Sequence, residues 1–204
     1  MQALLIVDMQ NDFMPGGALS VPDADALASL INKLMKRFSL VIATQDWHPA
    51  DHKSFAANHP GKKVGDIVDV KGIPQILWNV HCVRNTMGAA LVEELDQKTI
   101  VTNFYKGTDK WIDSYSAFFD NARRKTTGLA DYLRSHGVDH IFIAGVATDY
   151  CVLYSVIDAI DLGFKVTVIS DACRGINLRS EDVAEAIKTM REKGAEIVES
   201  WKLL

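Results

Sequence analysis

The stretch Gly145-Val146-Ala147-Thr148-Asp149-Tyr150-Cys151-Val152 decides the fold, because it separates two kinds of hydrophobic pattern. A short apolar run, 140–144, precedes it, and residues 153–160 after it repeat with helical spacing. We therefore predict a strand, a tight turn and a helix, with Cys151 in the first turn of that helix. The N–H groups and the positive dipole end at a helix start favour an anion, so we expect the Cys151 thiol to have a lowered pKa and to act as a nucleophile.

The same cysteine has a simpler interpretation as a small buried side chain that packs the helix against the sheet. In the functional interpretation, the backbone N–H groups of the turn would also stabilise the oxyanion of an acyl-transfer intermediate. The stretch alone does not choose between these two roles of Cys151, so the rest of the chain must show whether the thiol has partners.

Strand and helix patterns alternate along the rest of the chain. Apolar runs predict strands at 3–7, 40–44, 99–103, 141–144, 166–169 and 196–199, and amphipathic patterns predict helices at 26–35, 89–95, 129–135 and 181–192. Residues 46–80 and 107–120 show little periodicity and predict two long loops, which are usually functional in compact domains. The alternation predicts an α/β fold, in which one domain, 1–204, holds a doubly wound, mostly parallel six-stranded sheet with helices on both faces.

The composition excludes several classes of partner. The 204 residues carry a net charge of −4 and no extended basic segment, which argues against nucleic acid and membrane surfaces. The N-terminus predicts a first strand rather than a signal peptide, and no apolar run is long enough to span a membrane. The three cysteines, Cys82, Cys151 and Cys173, have no motif spacing, so we expect reduced thiols in a cytoplasmic protein.

Polar residues follow four of the predicted strands. Asp8, Asp46, Lys106 and Cys151 each come at or just after the end of one of these runs. Ligands of open α/β sheets bind beyond the carboxyl ends of the strands, so these side chains are expected at one rim. A turn-capping carboxylate and a solvated amine are the simpler interpretations of Asp8 and Lys106 taken singly. The joint placement instead favours a catalytic site.

A second set of polar residues suits a metal ion. Asp46, His48 and His81 offer one carboxylate and two imidazoles, which bind zinc, iron or manganese and leave coordination positions open. For His52 and His59 in the same loop, a merely solvated side chain is the simpler interpretation. The aromatic residues of the loops, Phe13, Trp78 and Tyr115, would form flat walls for an aromatic substrate, or would serve only to pack the loops.

Six motifs occur in an order that resembles the nicotinamidase/pyrazinamidase group of the isochorismatase-like cysteine hydrolases. They are Asp8-Met9-Gln10-Asn11-Asp12-Phe13 with Gly16-Gly17 and Leu19, Thr44-Gln45-Asp46-Trp47-His48-Pro49, Trp78-x-x-His81-Cys82-Val83, Lys106-Gly107, Ser114-Tyr115-Ser116-Ala117-Phe118-Phe119-Asp120 and the stretch 145–152. The resemblance covers nearly the whole chain. The 114–119 motif points to nicotinamidase and pyrazinamidase over other members.

The resemblance implies a strand order of 3-2-1-4-5-6 and a set of site residues. The implied residues are the catalytic Asp8, Lys106 and Cys151, the oxyanion-binding N–H groups of Ala147 and Cys151, the substrate contacts Phe13, Leu19, Trp78, Tyr115, Val146 and Ala147, and the metal ligands Asp46, His48 and His81. His52 lies where some members place a further ligand. The resemblance also implies a cis peptide bond between Val146 and Ala147. Asn79 replaces a proline that usually follows the tryptophan, so a less rigid loop is expected there.

The activity implied by the resemblance is hydrolysis of nicotinamide to nicotinate and ammonia through a thioester on Cys151, in NAD salvage, with pyrazinamide as a second substrate. One divalent ion is implied, with zinc as first choice and iron or manganese as alternatives. A homo-oligomer is compatible with the resemblance. Three alternatives stay open: hydrolysis of a carbamoyl or ureido compound, hydrolysis of a vinyl ether, and metal-dependent binding of pyridine metabolites without catalysis.

Overall fold

The computed structural model, which describes all 204 residues, contains eight strands and four α-helices. The strands are β1 (Gln2–Val7), β2 (Val41–Asp46), β3 (Ile67–Val70), β4 (Ile73–Ile76), β5 (Thr102–Lys106), β6 (His140–Val146), β7 (Lys165–Arg174) and β8 (Glu196–Val198). The helices are α1 (Leu27–Met35), α2 (Leu129–Ser135), α3 (Leu153–Asp161) and α4 (Asp182–Lys193). No helix combines the length and the apolar character that a membrane crossing requires.

Six strands form one parallel sheet in the order β5-β2-β1-β6-β7-β8. When only the strands of this sheet are counted, the order is 3-2-1-4-5-6, so the predicted topology is confirmed. The direction of winding reverses between β1 and β6. A doubly wound sheet leaves a crevice beyond the carboxyl ends of the strands at such a switch point.

The sheet is covered on both faces because consecutive residues of its central strands are apolar and point to opposite sides. In β1, Leu4 and Ile6 belong to one core with α1, whereas Leu5 and Val7 belong to a second core with α2 and α3. Residues 3–7 of β1 are all buried, which explains why this central strand reads as a continuous apolar run.

The prediction of a helix at 89–95 is wrong. This segment is a series of turns, and two of its backbone hydrogen bonds join it to the N-terminal motif. The N–H of Asn11 donates to Ala90 and the N–H of Val92 donates to Met9, and Gln10 and Leu91 form an isolated antiparallel bridge. The apolar side chains therefore face the core without helical periodicity in the backbone.

The predicted loop at 46–80 contains the two-stranded antiparallel sheet of β3 and β4, which the sequence analysis missed. Lys71 and Gly72 join these strands, and both have a positive φ, as the hairpin turn requires. The ends of most sheet strands also differ from the prediction; for example, β2 extends to Asp46, β5 ends at Lys106 and β7 continues to Arg174.

Candidate active site

The turn after β6 places Cys151 at the switch point. The Val146–Ala147 peptide bond is cis, as the resemblance implied, and residues 148–152 form a single π-helical turn that leads into α3. The N–H of Val152 donates to the carbonyl of Ala147 at 3.0 Å. The predicted strand, turn and helix are confirmed, and Cys151 lies buried in this π-helical turn rather than in the α-helix itself.

Gly145 lets β6 approach the end of β1. Its φ is +118°, and a Cβ built on it would lie 2.1 Å from the carbonyl oxygen of Val7. Any other residue here would push apart the two strands that flank the switch point. The close approach brings the residue after β1, Asp8, next to the turn that carries Cys151.

The side chains of Asp8, Lys106 and Cys151 meet in the interior of the protein. The ammonium Nζ of Lys106 lies 2.8 Å from Oδ2 of Asp8 and 3.3 Å from Sγ of Cys151. Carboxylate oxygens of Asp8 and Asp46 and the Cys151 sulfur all lie within 4.8 Å of one another. The Thr44 hydroxyl donates to Oδ1 of Asp8 at 2.7 Å, and Oδ2 has no hydrogen-bond partner with suitable geometry.

The Lys106 ammonium pairs with both buried carboxylates, those of Asp8 and Asp46. Burial opposes its charge, but the carboxylates of Asp46 and Asp8 raise its pKa well above the usual range. Burial raises the pKa of Asp8, and the neighbouring Lys106 only partly offsets this effect. Asp8 is therefore a stronger base than an ordinary aspartate, which suits it to accept a proton during a reaction.

The expectation that the pKa of Cys151 is lowered is wrong. Burial raises the pKa of the Cys151 thiol well above its usual range, and the carboxylates of Asp8 and Asp46 act in the same direction against the ammonium of Lys106. Loss of solvation and two nearby negative charges outweigh the positive end of one short helix. The resting side chain is a neutral thiol, so its proton has to leave when the sulfur attacks.

Asp46, His48 and His81 converge on one point beside this group. Oδ2 of Asp46 lies 3.6 Å from Nε2 of His48 and 3.8 Å from Nε2 of His81. The Nδ1 atoms of the two rings lie within hydrogen-bond distance of the carbonyls of Gly107 and Asn79. If each Nδ1–H donates there, both Nε2 lone pairs are free to bind a metal.

This donor set fits a divalent metal ion. Nε2 of His48 is buried and has no hydrogen-bond partner within the protein, which is costly unless another ligand occupies that point. Burial works to raise the pKa of Asp46, but Lys106 and His48 hold it well below the usual range, so the carboxylate is ionised. One carboxylate and two imidazoles match the ligands of zinc and neighbouring transition metals.

His52 lies beside this set rather than within it. Its ring centroid is 4.4 Å from that of His48, and it forms a second group of close ligand atoms with His48 and Asp113. Burial lowers the pKa of His52 to about 4, so its ring is neutral. His59 is further removed, because its Nε2 bonds to the carbonyl of Lys53 and it belongs to neither group.

A cavity with mainly apolar walls opens onto Cys151. The predicted residues that line it are Phe13, Leu19, Asp46, Trp78, His81, Tyr115, Ala147 and Cys151. Val146, a predicted substrate contact, is fully buried and does not line the cavity. Trp78 donates from Nε1 to the hydroxyl of Tyr115 at 3.2 Å, which fixes two aromatic walls relative to each other.

Three further lining residues were missed, namely Asp113, Tyr150 and Ile176. Tyr150 meets Trp78 edge to face, with ring centroids 4.9 Å apart, and its position next to Cys151 was an available signal. Asp113 precedes the 114–120 motif, but nothing in that spacing shows that its side chain faces the cavity. Ile176 lies beyond the end of β7, in a segment without a recognisable pattern.

Asn79, which stands in place of the usual proline, connects the Trp78 loop to another segment. Its side-chain amide donates to the carbonyl of Ala18 at 3.1 Å, and its own carbonyl lies 2.8 Å from Nδ1 of His81. The structure thus gives this position a hydrogen bond that proline cannot make. Trp78 remains almost completely buried.

The fold and the site define a cysteine hydrolase of the α/β class, with its buried cysteine at the switch point of a doubly wound sheet. Residues 2–201 match the isochorismatase domain, and the chain belongs to this family. It is 49% identical over 198 residues to the nicotinamidase of Escherichia coli, covering 95% of this chain and 92% of that protein.

Two solved structures are also similar. A nicotinamidase/pyrazinamidase from Acinetobacter baumannii superposes with a TM-score of 0.96 at 43% identity, covering 100% of this chain and 98% of that one. The pyrazinamidase of Pyrococcus horikoshii in complex with zinc gives a TM-score of 0.79 at 38% identity, covering 97% and 98% of the two chains.

Proposed function

We propose that this protein hydrolyses nicotinamide to nicotinate and ammonia, as a single domain spanning residues 1–204, and thereby serves NAD salvage. One observation carries the proposal: the Cys151 sulfur lies 3.3 Å from the Lys106 ammonium, beside Asp8, where the apolar cavity opens onto it. The similarity to enzymes named for nicotinamidase and pyrazinamidase activity supports the same reaction. Pyrazinamide has a similar size and ring, and we expect it to be a second substrate.

The substrate ring is proposed to lie between Phe13 and Trp78, with its carboxamide toward Cys151. Asp46, His48 and His81 would hold the metal, which supplies a Lewis acid that orients the ring nitrogen. Zinc is the first choice, in agreement with the zinc complex of the Pyrococcus pyrazinamidase, and iron and manganese suit the same ligands. His52 remains a candidate for a further ligand.

The reaction begins with transfer of the Cys151 thiol proton to Asp8 as the sulfur attacks the amide carbon. The N–H groups of Ala147 and Cys151 are proposed to stabilise the oxyanion. Asp8 then gives the proton to the departing nitrogen, the C–N bond breaks, and ammonia leaves behind a thioester. Asp8 next accepts a proton from water, and the resulting hydroxide attacks the thioester. The C–S bond breaks, Asp8 returns the proton to the sulfur, and the acid released loses its own proton to solvent as nicotinate. Lys106 stays protonated throughout and balances the charge of Asp8.

Ammonia release from nicotinamide tests the proposal directly. The purified protein is assayed as isolated, after chelation, and after add-back of zinc, iron or manganese. Release that is lost on chelation and restored by one of the metals is the expected result. Release that survives complete chelation would remove the metal from the mechanism. No release under any condition would overturn the proposal and favour another amide, or binding without catalysis.

Replacing His48 by alanine should release the metal and raise the KM for nicotinamide by about tenfold or more, because one of three ligands and a contact of Asp46 are lost. Metal content measured by mass spectrometry, together with steady-state kinetics, checks this. His59→Ala is the matched control, because this histidine of the same loop lies outside the ligand set. A His48→Ala protein with full metal content would contradict the assignment.

Replacing Trp78 by leucine should raise the KM by about tenfold, because an aromatic wall of the cavity and its hydrogen bond to Tyr115 are removed. The effect on kcat should be smaller, since the indole N–H of Trp78 donates to Tyr115 and not to a proton-transfer group. Trp111→Leu provides the control, because Trp111 is partly exposed and lies outside this cavity. Equal KM values for the two variants would argue against ring binding at Trp78.

Two expectations from the sequence stay predictions: the cytoplasmic location and the formation of a homo-oligomer. Among the alternative activities, hydrolysis of a carbamoyl or ureido compound does not explain the buried ligand set of Asp46, His48 and His81. Hydrolysis of a vinyl ether does not require the contact between Lys106 and the Cys151 sulfur. The complete group of Asp8, Lys106 and Cys151 also argues against a protein that only binds pyridine metabolites.

A further inference from the structure

Two side chains of the N-terminal motif, those of Gln10 and Asp12, take no part in the reaction proposed above. Gln10 is fully buried, Asp12 is half-buried, and neither lines the substrate cavity. Both side chains point instead at the backbone of the segments that carry the candidate metal ligands. Their hydrogen bonds indicate what the motif does besides supplying Asp8 and Phe13.

The side-chain amide of Gln10 bonds to the backbone of Asp46 where β1 no longer runs beside β2. β1 ends at Val7 because Asp8 has a φ of 51°, which turns the chain away, whereas β2 continues to Asp46. The backbone of Asp46 would therefore lack a partner on the β1 side. The Gln10 amide supplies it, since Oε1 accepts the N–H of Asp46 at 2.8 Å and Nε2 donates to its carbonyl at 2.9 Å. The same Nε2 also donates to the carbonyl of Ala89 at 2.8 Å, which anchors the amide from the other side.

The Asp12 carboxylate accepts a hydrogen bond from Cys82, the residue that connects His81 to the backbone of His48. Its Oδ2 accepts the N–H of Cys82 at 2.7 Å, and Cys82 directly follows His81 with a φ of 45°. The carbonyl of Cys82 in turn accepts the backbone N–H of His48 at 3.0 Å. One carboxylate thus fixes the turn on which the positions of both imidazoles depend.

Gly88 makes room for that carboxylate. A Cβ at position 88 would lie 2.2 Å from Oδ2 of Asp12, so even alanine would displace the Asp12 side chain. The φ of Gly88 is not positive, and an alanine there meets no backbone strain of its own. Substitution of this glycine is therefore a second, independent way to break the contact between Asp12 and Cys82.

We infer that Gln10 and Asp12 are positioning residues that set the spacing of Asp46, His48 and His81 and thereby the affinity of the protein for a divalent metal ion. This inference rests on the metal site of the proposed function. Ligands that are held in place before the metal arrives lose less conformational freedom on binding. Groups that orient ligands from behind typically contribute about 10- to 100-fold to metal affinity.

The test measures the zinc dissociation constant of the metal-free full-length protein by competition with a chromophoric chelator. Asp12→Ala should weaken zinc binding by about 10- to 100-fold. Asp12→Asn keeps an oxygen that accepts the Cys82 N–H and should stay within about threefold of the wild type, because the hydrogen bond survives. Asn11→Ala is the matched control, since the half-buried Asn11 side chain donates to the carbonyl of Met87 and to no residue of the ligand segments.

Gly88→Ala and Gln10→Ala should weaken zinc binding in the same direction, and circular dichroism of the metal-free variants should match that of the wild type. An Asp12→Ala protein that binds zinc as tightly as the Asn11→Ala protein would overturn the inference. A loss of affinity that accompanies a loss of helical signal would also overturn it, since the residues would then support the fold in general. If neither the wild type nor the His48→Ala protein binds zinc, the metal site itself is refuted, which is a different result.

Discussion

Replacing Cys151 by alanine is expected to lower kcat for nicotinamide hydrolysis by about 10⁴-fold or more, while nicotinamide still binds. The thiol is the group proposed to form the covalent bond to the amide carbon. Its removal leaves the Lys106–Asp8 ion pair, the aromatic walls and the metal ligands in place. Ammonia release measures the loss of turnover, and isothermal titration with nicotinamide measures the binding that remains.

Cys173→Ala is the matched control for this experiment. Cys173 is also a buried cysteine, but it lies on β7, does not line the substrate cavity and makes no contact with Lys106. The control should retain nearly normal kcat. Comparable turnover by the Cys151→Ala and Cys173→Ala proteins would refute the assignment of Cys151 as the nucleophile.

The overall fold and the meeting of the site residues could be predicted because both follow from short-range patterns. The central strands are covered on both faces, so each appears in the sequence as an apolar run that ends in a polar residue. Parallel strands bring such ends to one rim, and this is why Asp8, Lys106 and Cys151 lie together. Lys106 was placed at the rim correctly although β5 was predicted three residues too early. The prediction required only that the carboxyl end of β5 lie close to Lys106.

The segment at 89–95 could not be predicted correctly from its own residues. Its apolar spacing suits a helix, but two of its backbone hydrogen bonds join it to residues 9–11, which are about 80 positions away in the sequence. The hairpin of β3 and β4, in contrast, could have been predicted, because the sequence contains a signal for it. Two short runs rich in β-branched residues surround Lys71-Gly72, and the turn forms where that pair stands.

The prediction of a lowered pKa for Cys151 failed for a third reason. A helix start is visible in the sequence, and it does favour a thiolate. The burial of the sulfur and its closeness to the carboxylates of Asp8 and Asp46 depend on three segments that meet only in the folded protein. These long-range effects reverse the direction of the shift. They also change the proposed chemistry, because a neutral thiol needs a base at the moment of attack.

That base is proposed to be Asp8, and the Asp8→Asn protein is expected to lose about 10³-fold in kcat/KM. Asparagine keeps the size and the hydrogen bond of the side chain to Thr44 but cannot accept the thiol proton. Lys106 keeps its ion pair with Asp46 in this variant, so the buried ammonium is not left without a partner. Steady-state kinetics across pH, with circular dichroism to check the fold, measures the effect.

The pH profile separates a proton acceptor from a residue that only fills space. Because burial raises the pKa of Asp8, the wild-type kcat/KM should fall with decreasing pH already above the ordinary aspartate range, as the base becomes protonated. The Asp8→Asn protein should lack this decline. Thr44→Val removes one hydrogen bond that stabilises the Asp8 carboxylate, so it should raise that pKa further and move the decline to higher pH, at a modest cost in rate. An Asp8→Asn protein with nearly normal kcat/KM, or with an unchanged acid decline, would refute the role of Asp8 and would leave the deprotonation of Cys151 to another group.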